Sequence, residues 1–195
     1  MVIRAAYPTD APAMGRVIVE TFLAAHQGMM PEEAWNKRKA EWTSEVSAQN
    51  WERALQGMAQ DLHCRDCIYV AEDESAEIVG VAMGVPSETR SADGAEQIGE
   101  VCVLYVHPCC QRQGIGRQLV KAIATQLAQQ GMSMLHIAVL KANAPARRFY
   151  EALGAQLVSE REIDEEGVLL PGVVYGWTDI TVLITMKRKM RHESE

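Results

Sequence analysis

The 195-residue chain has no run of about 18 apolar residues, which excludes a transmembrane helix in the sequence reading. Its first residues, Met1-Val2-Ile3-Arg4-Ala5, lack the charged-then-apolar layout of a secretory signal, so a cytoplasmic location is expected. Basic residues are outnumbered: 19 Lys and Arg face 26 Asp and Glu, for a formal net charge of −7. That balance excludes a general nucleic-acid binder, which needs a basic face, but leaves room for a local anion pocket. No internal repeat and no low-complexity segment interrupts the chain. With 48% apolar and 23% charged residues, the composition suits a single domain able to bury its core without disulfides or metals.

Five cysteines, an odd number, fit reduced thiols in a cytosol. Cys64-Arg65-Asp66-Cys67 has the C-x-x-C spacing of a zinc or redox site, but no second such pair follows. Adjacent Cys109 and Cys110 look like poor ligands. The expectation is therefore loop and core cysteines and no metal.

The hydrophobic pattern divides the chain into alternating elements. Residues 2–6 read as a strand, and Thr9 or Asp10 can cap a helix through about 24. Residues 31–61 are rich in helix formers, and Trp35, Trp42 and Trp51 within them either anchor these helices to a core, the favoured reading, or in part line a substrate pocket. Strands follow at 68–71 and 78–85, then a polar loop at 86–95. Residues 97–106 read as a central strand buried on both faces. A helix from Gly114 to Gln130, a strand from Met134 to Leu140 and a helix from Asn143 to Leu153 come next. Two strands, 155–163 and 173–186, flank a turn near 165–167, and 187–195 is a charged tail. The fold class is α/β, a mixed α+β sheet covered by helices.

The most informative segment joins the central strand to a helix: Val106-His107-Pro108-Cys109-Cys110-Gln111-Arg112-Gln113-Gly114-Ile115-Gly116-Arg117. Its glycines allow close backbone approach, and a helix's first turn offers unpaired N–H groups at the positive end of the dipole. Together these features make an anion site. A Walker loop would need Lys-Ser/Thr where Arg117-Gln118 stands, and a dinucleotide fingerprint would need glycine at Leu119. The longer form Gln-x-x-Gly-x-Gly, carried by Gln111, Gly114 and Gly116, resembles the signature of the GCN5-related N-acetyltransferase superfamily. A second motif, about 30 residues on, is similar as well: Asn143, Ala146, Phe149 and Tyr150, then Leu153-Gly154.

The resemblance covers residues 67–177 well and the first 66 residues more loosely. It implies a mostly antiparallel sheet flanked by helices, an acetyltransferase domain over 1–186, and acetyl-CoA as donor. Gln111, Arg112, Gln113, Gly114, Ile115, Gly116 and Arg117 would hold the pyrophosphate. The backbone of Leu104, Tyr105 and Val106 would pair with the pantetheine arm, and Asn143 would contact the pantetheine or thioester. Tyr150 would be the general acid, and Glu100 a base acting through water; Glu96 is a weaker candidate for the base, and His107, whose imidazole could also serve, is favoured for packing in the loop. The reaction implied is direct attack by a small-molecule or peptide amine in a ternary complex. The alternatives are a non-catalytic acyl-CoA-binding module and a covalent relay through Cys109 or Cys110, the latter unsupported by any Cys-His-Asp arrangement in the sequence. Pairing of two copies through the sheet edge is a further expectation.

Overall fold

The computed structural model describes residues 1–90, 97–165 and 167–186. The expected tail at 187–195, the expected turn's Glu166 and part of the 86–95 loop lie outside them. Seven strands form one sheet: β1 (Val2–Ala5), β2 (Cys67–Glu72), β3 (Ile78–Arg90), β4 (Gln97–Val106), β5 (Met134–Leu140), β6 (Gln156–Glu165) and β7 (Val168–Trp177). Their order is β1-β2-β3-β4-β5-β7-β6. Neighbours are antiparallel except β4 and β5, which run parallel. The helices are α1 (Ala11–His26), α2 (Glu32–Glu41), α3 (Ser44–Gln60), α4 (Ile115–Gln129), α5 (Ala144–Ala152) and α6 (Thr181–Thr185). The expected mixed α/β architecture is the one observed. Among the described residues no helix is long and apolar enough to cross a membrane.

Two apolar clusters sandwich the sheet. On one face Met14, Val17 and Ile18 of α1 and Leu55 of α3 meet Ile68 and Val70 of β2. On the other, Ile115, Leu119, Ile123 and Leu127 of α4 share a cluster with Tyr150 of α5 and Leu183 of α6. The period-2 alternation of β2 sends Ile68 and Val70 to the first cluster and Cys67 and Ala71 to the second. Arg4 ties β1 down, contacting both Asp10 oxygens at 2.7 and 2.9 Å and Glu72 at 2.8 Å.

Two expected boundaries are corrected. Strand β3 runs on to Arg90, through the first half of the expected 86–95 loop, because it pairs with β4 as far as Arg90↔Gln97. The expected strand 173–186 starts earlier and ends at Trp177, and Thr181–Thr185 is helical. Asp179 explains the break. Its carboxylate accepts from the Thr181 amide and hydroxyl, capping a turn, and Leu183 then packs into the α4 cluster.

Candidate active site

The sheet opens at its centre. Strands β4 and β5 pair only from Ile98↔Met134 to Val101↔Ile137. Beyond that point Ala138, Val139 and Leu140 stay with β7, and Leu104, Tyr105 and Val106 stay with β3. A bulge marks the separation: β3 matches Met83 to Val103 and Gly84 to Val101, leaving Cys102 as the extra residue. The bulge reverses the alternation of β4. Val101 faces the α4 side, yet after the bulge Leu104 and Val106 face that side, and Val103 and Tyr105 face the α1 side.

The same alternation fixes where the backbone points. The His107 N–H donates to Val79 O on β3 at 2.9 Å. Hydrogen bonding alternates along an antiparallel strand, so the Leu104 and Val106 N–H groups aim away from β3, into the gap. The Val106 carbonyl aims there too and accepts from the Gln111 side chain at 3.0 Å. The gap is thus edged by a strand with open amides, the geometry by which an extended ligand adds to a sheet.

At the open end, His107 is followed by a 3-10 turn, Pro108–Cys110, and then Gln111 to Gly114 lead into α4. Arg112 and Gly114 both have positive φ, 64° and 86°. Gly114 caps α4 in the left-handed region, and among the described residues no side-chain hydrogen bond caps the Ile115 or Gly116 amide. The first-turn amides therefore remain available to an anion. The two signature glycines differ in their reasons. A Cβ on Gly114 would meet nothing within 4 Å, so its glycine serves the backbone angle. A Cβ on Gly116 would come 3.2 Å from the Phe149 ring, so its glycine serves the packing of α5 against α4. Gln111, Arg112 and Gln113 are exposed and Arg117 is half-buried, whereas the Ile115 side chain lies in the core, leaving only its amide to face a ligand.

Helix α5 borders the gap from the β7 side. Asn143 is buried, and its side-chain oxygen accepts from the Ala146 amide at 3.1 Å, so the residue acts first as the helix cap. Tyr150 is buried against Phe149, Tyr175 and Trp177, with ring centroids 5.4, 6.2 and 6.5 Å away. Its hydroxyl has no hydrogen-bond partner among the described residues. Burial, with a smaller contribution from the nearby Tyr105, pushes its pKa above the usual phenol range. The neighbouring Tyr175 differs: it donates to Glu151 and accepts from Arg147, which leaves Tyr150 as the unpartnered phenol of the pair.

At the closed end, Glu100 lies on the paired part of β4 beside His136 of β5, and Arg161 of β6 reaches its carboxylate at 3.4 Å. Burial lowers the pKa of His136, Glu100 partly offsets this, and the His136 Nε2 has no partner. Sequence reasoning missed His136, which sits in an apolar strand with no motif around it. Glu96 lies outside the described residues.

On the α1 face, Tyr105 packs with the α1 cluster. Burial and the Glu165 carboxylate raise its pKa, and Arg38 partly opposes this. A cleft of about 270 Å³ opens beside these groups, lined by Met30, Ala34, Lys37, Arg38, Glu165 and Val168. The Arg38 guanidinium stacks over Trp42 at 4.1 Å and Phe22 at 5.1 Å. Trp42 and Trp51 pack against the core, as expected of anchors. Arg38 and Glu165 come from α2 and β6, far apart in sequence, so no spacing could announce them.

The Cys64–Cys67 pair forms no ligand set. Cys67 is buried, donates to Gly84 O at 3.4 Å, and burial pushes its thiol up to about 12. The sequence offers no Cys-His-Asp arrangement for a covalent relay; the structure instead forms a Cys-His-Glu chain, in which His107 joins Cys109 to Glu20 of α1. Glu20 lies 87 residues upstream, and only the fold brings it there.

Comparison with known proteins agrees with this layout. The acetyltransferase (GNAT) family model matches residues 30–155. An uncharacterized N-acetyltransferase, YuaI of Bacillus subtilis, is 35% identical over 121 residues, covering 61% of this chain and 66% of that one. A mycothiol acetyltransferase of Segniliparus rotundus is 29% identical over 120 residues, 61% of this chain and 44% of that one. The chain thus spans less than two thirds of the length of these curated relatives. The crystal structure of a ribosomal-protein-alanine N-acetyltransferase from Brucella melitensis superposes with a TM-score of 0.65 at 20% identity, over 91% of this chain and 99% of that one. The family match, the split sheet and the glycine-bearing loop converge: this chain belongs to the GNAT family of acetyltransferases.

Proposed function

We propose that the chain is an acetyl-CoA-dependent N-acetyltransferase that joins donor and primary amine in one ternary complex. The observation that carries this reading is the gap between β4 and β5, with the Leu104 and Val106 amides aimed into it and the uncapped α4 terminus at its mouth. A pantetheine arm fits as an added strand, and a pyrophosphate fits the amides of residues 114–117, flanked by Arg112 and Arg117. A solved relative, yncA of Salmonella typhimurium, is described with its cofactor acetyl-CoA, which supports the same ligand here.

Acetyl-CoA supplies an activated acetyl group, and the chain's residues order and polarise the reaction. The Leu104 amide, the deeper of the two open donors, polarises the thioester carbonyl. The amine approaches from the side of the Tyr105 and Arg38 cleft and attacks that carbonyl. Glu100, held by Arg161, takes the amine's excess proton through water, with His136 beside it. Collapse of the tetrahedral adduct breaks the carbon–sulfur bond and releases the thiolate. Tyr150 faces that sulfur. Its raised pKa keeps the phenol protonated, while a thiol's reference value is about 8.5. Full proton transfer to the thiolate is therefore uphill, and Tyr150 acts chiefly as a hydrogen-bond donor to the developing charge. Cys109 and Cys110 lie at the opposite, pyrophosphate end and carry no acetyl group.

The test is a panel of primary amines with acetyl-CoA, read by thiol release and by mass of the product. Turnover with at least one amine is expected. Tight CoA binding with no amine-dependent thiol release across polyamines, amino acids and peptide amines would make the chain an acyl-CoA-binding module.

A further inference from the structure

Outside the gap, one cluster of chemically active side chains has no part in acetyl transfer: His107, Cys109 and Cys110, with Glu20 behind them. Their ligand atoms, Nδ1 or Nε2 and two Sγ, all lie within 4.8 Å of one another. His107 Nδ1 is 2.8 Å from Cys109 Sγ, and the two sulfurs are 3.4 Å apart. We propose that this turn is a zinc site of the two-cysteine, one-histidine type, with a fourth position open to water.

Three features carry the proposal. First, the donors are the pair of types zinc favours, thiolate and imidazole. With Zn–S of about 2.3 Å and Zn–N of about 2.0–2.1 Å, tetrahedral ligand atoms sit roughly 3.4–3.8 Å apart. The His107–Cys109 and Cys109–Cys110 spacings, 2.8 and 3.4 Å, reach that range by sub-ångström shifts of exposed or half-exposed side chains. Second, the turn is preorganised. The His107 amide is tied to β3, and the 3-10 turn Pro108–Cys110, closed by Cys110 N–H to His107 O at 2.8 Å, brings two adjacent cysteines to one side. An extended strand would send them to opposite faces, which is why adjacency looks unsuitable in the sequence. Third, the histidine is already oriented as metal-binding histidines are. Glu20 accepts from Nε2–H at 2.9 Å, which leaves the lone pair on Nδ1, the nitrogen that faces the thiols.

The same Cys–His–Glu chain could describe a thiol nucleophile. The second thiol decides between them: a nucleophilic triad has no use for Cys110, whereas a metal site uses all three donors. Binding exchanges two thiol protons for one dication, so the occupied turn gains no net charge beside the anion loop, and affinity rises with pH. The bound ion would brace α1, through Glu20 and His107, against the turn that leads into Gln111.

The test uses the full chain, reduced and stripped with a chelator. It is titrated with Zn²⁺ against a chromogenic chelator and, separately, with Co²⁺ to read thiolate-to-metal charge transfer. One ion per chain with a thiolate band is expected. A Cys109→Ala, Cys110→Ala double variant, shown folded by circular dichroism, loses both signals, and Cys64→Ala keeps both. Glu20→Ala, with every ligand intact, weakens Zn²⁺ binding about 10–100-fold. Absence of stoichiometric binding, binding unchanged in the double variant or in Glu20→Ala, or loss in Cys64→Ala overturns the assignment. So does acetylation of Cys109 by acetyl-CoA alone, which would make the cluster a nucleophile.

Discussion

Tyr150→Phe separates chemistry from packing more cleanly than any other single change. The substitution keeps the ring and its contacts to Phe149, Tyr175 and Trp177. It removes one hydroxyl that has no partner among the described residues, so no protein hydrogen bond is lost. Deleting a hydroxyl that no protein group bonds leaves no donor or acceptor stranded, so little stability is at stake. The melting temperature should therefore stay nearly level, and CoA affinity should hold. Turnover is another matter. Removing one donor from developing negative charge costs about 10²–10³-fold in kcat, about 2.7–4 kcal/mol. The assay is thiol release at saturating donor and acceptor, with a single-turnover measurement to establish that chemistry limits the rate. An unchanged single-turnover rate would refute the placement of Tyr150 at the leaving sulfur. A loss of stability that matches the loss of activity would make it a core residue.

Three further outcomes follow from the geometry. Gly114→Ala introduces no clash but forces alanine to φ 86°, so calorimetry should show weaker CoA binding and a stability loss of about 1–2 kcal/mol. Unaltered affinity would remove Gly114 from the loop's working parts. Burial lowers the pKa of His26, which stacks on Phe22, below the imidazole's ordinary value near 6.5. The unfolded chain then binds the extra proton first, so His26 contributes stability above about pH 6.5 that is lost as pH falls through its folded value. Thermal melts from pH 8 to pH 5 should show that loss, and His26→Gln should flatten it; parallel curves would refute it. The Cys109→Ala, Cys110→Ala variant should keep most of its activity, with no acetylated enzyme by mass spectrometry. Ping-pong kinetics with a competent acetyl-cysteine would contradict direct attack.

Much of this was legible in the sequence because it depends on local chemistry. Gln111, Gly114 and Gly116 announce a loop at a helix start, and Asn143 announces a cap that the structure forms. What stayed hidden depends on pairing between distant segments. The bulge at Cys102 leaves no compositional mark, because Val101 to Val106 is nearly continuous apolar sequence. Yet it decides that Leu104 and Val106 turn one way and Tyr105 the other. His136 becomes interesting only through its register with Glu100, and Glu20 only through α1 packing beside the loop. The strand expected over 173–186 failed because its apolar residues suit strand or helix equally, and Asp179 tipped the balance by capping.

The central claim is that CoA lies in the gap as an added strand, with its pyrophosphate on the α4 terminus. Residue-resolved amide hydrogen exchange, with and without CoA, tests this directly. The account predicts new protection at Leu104 and Val106 and at residues 114–117, with Val103 and Tyr105, already bonded to β3, little changed. Saturating CoA that leaves Leu104 and Val106 exchanging freely, or protects a different face of the sheet, would contradict it.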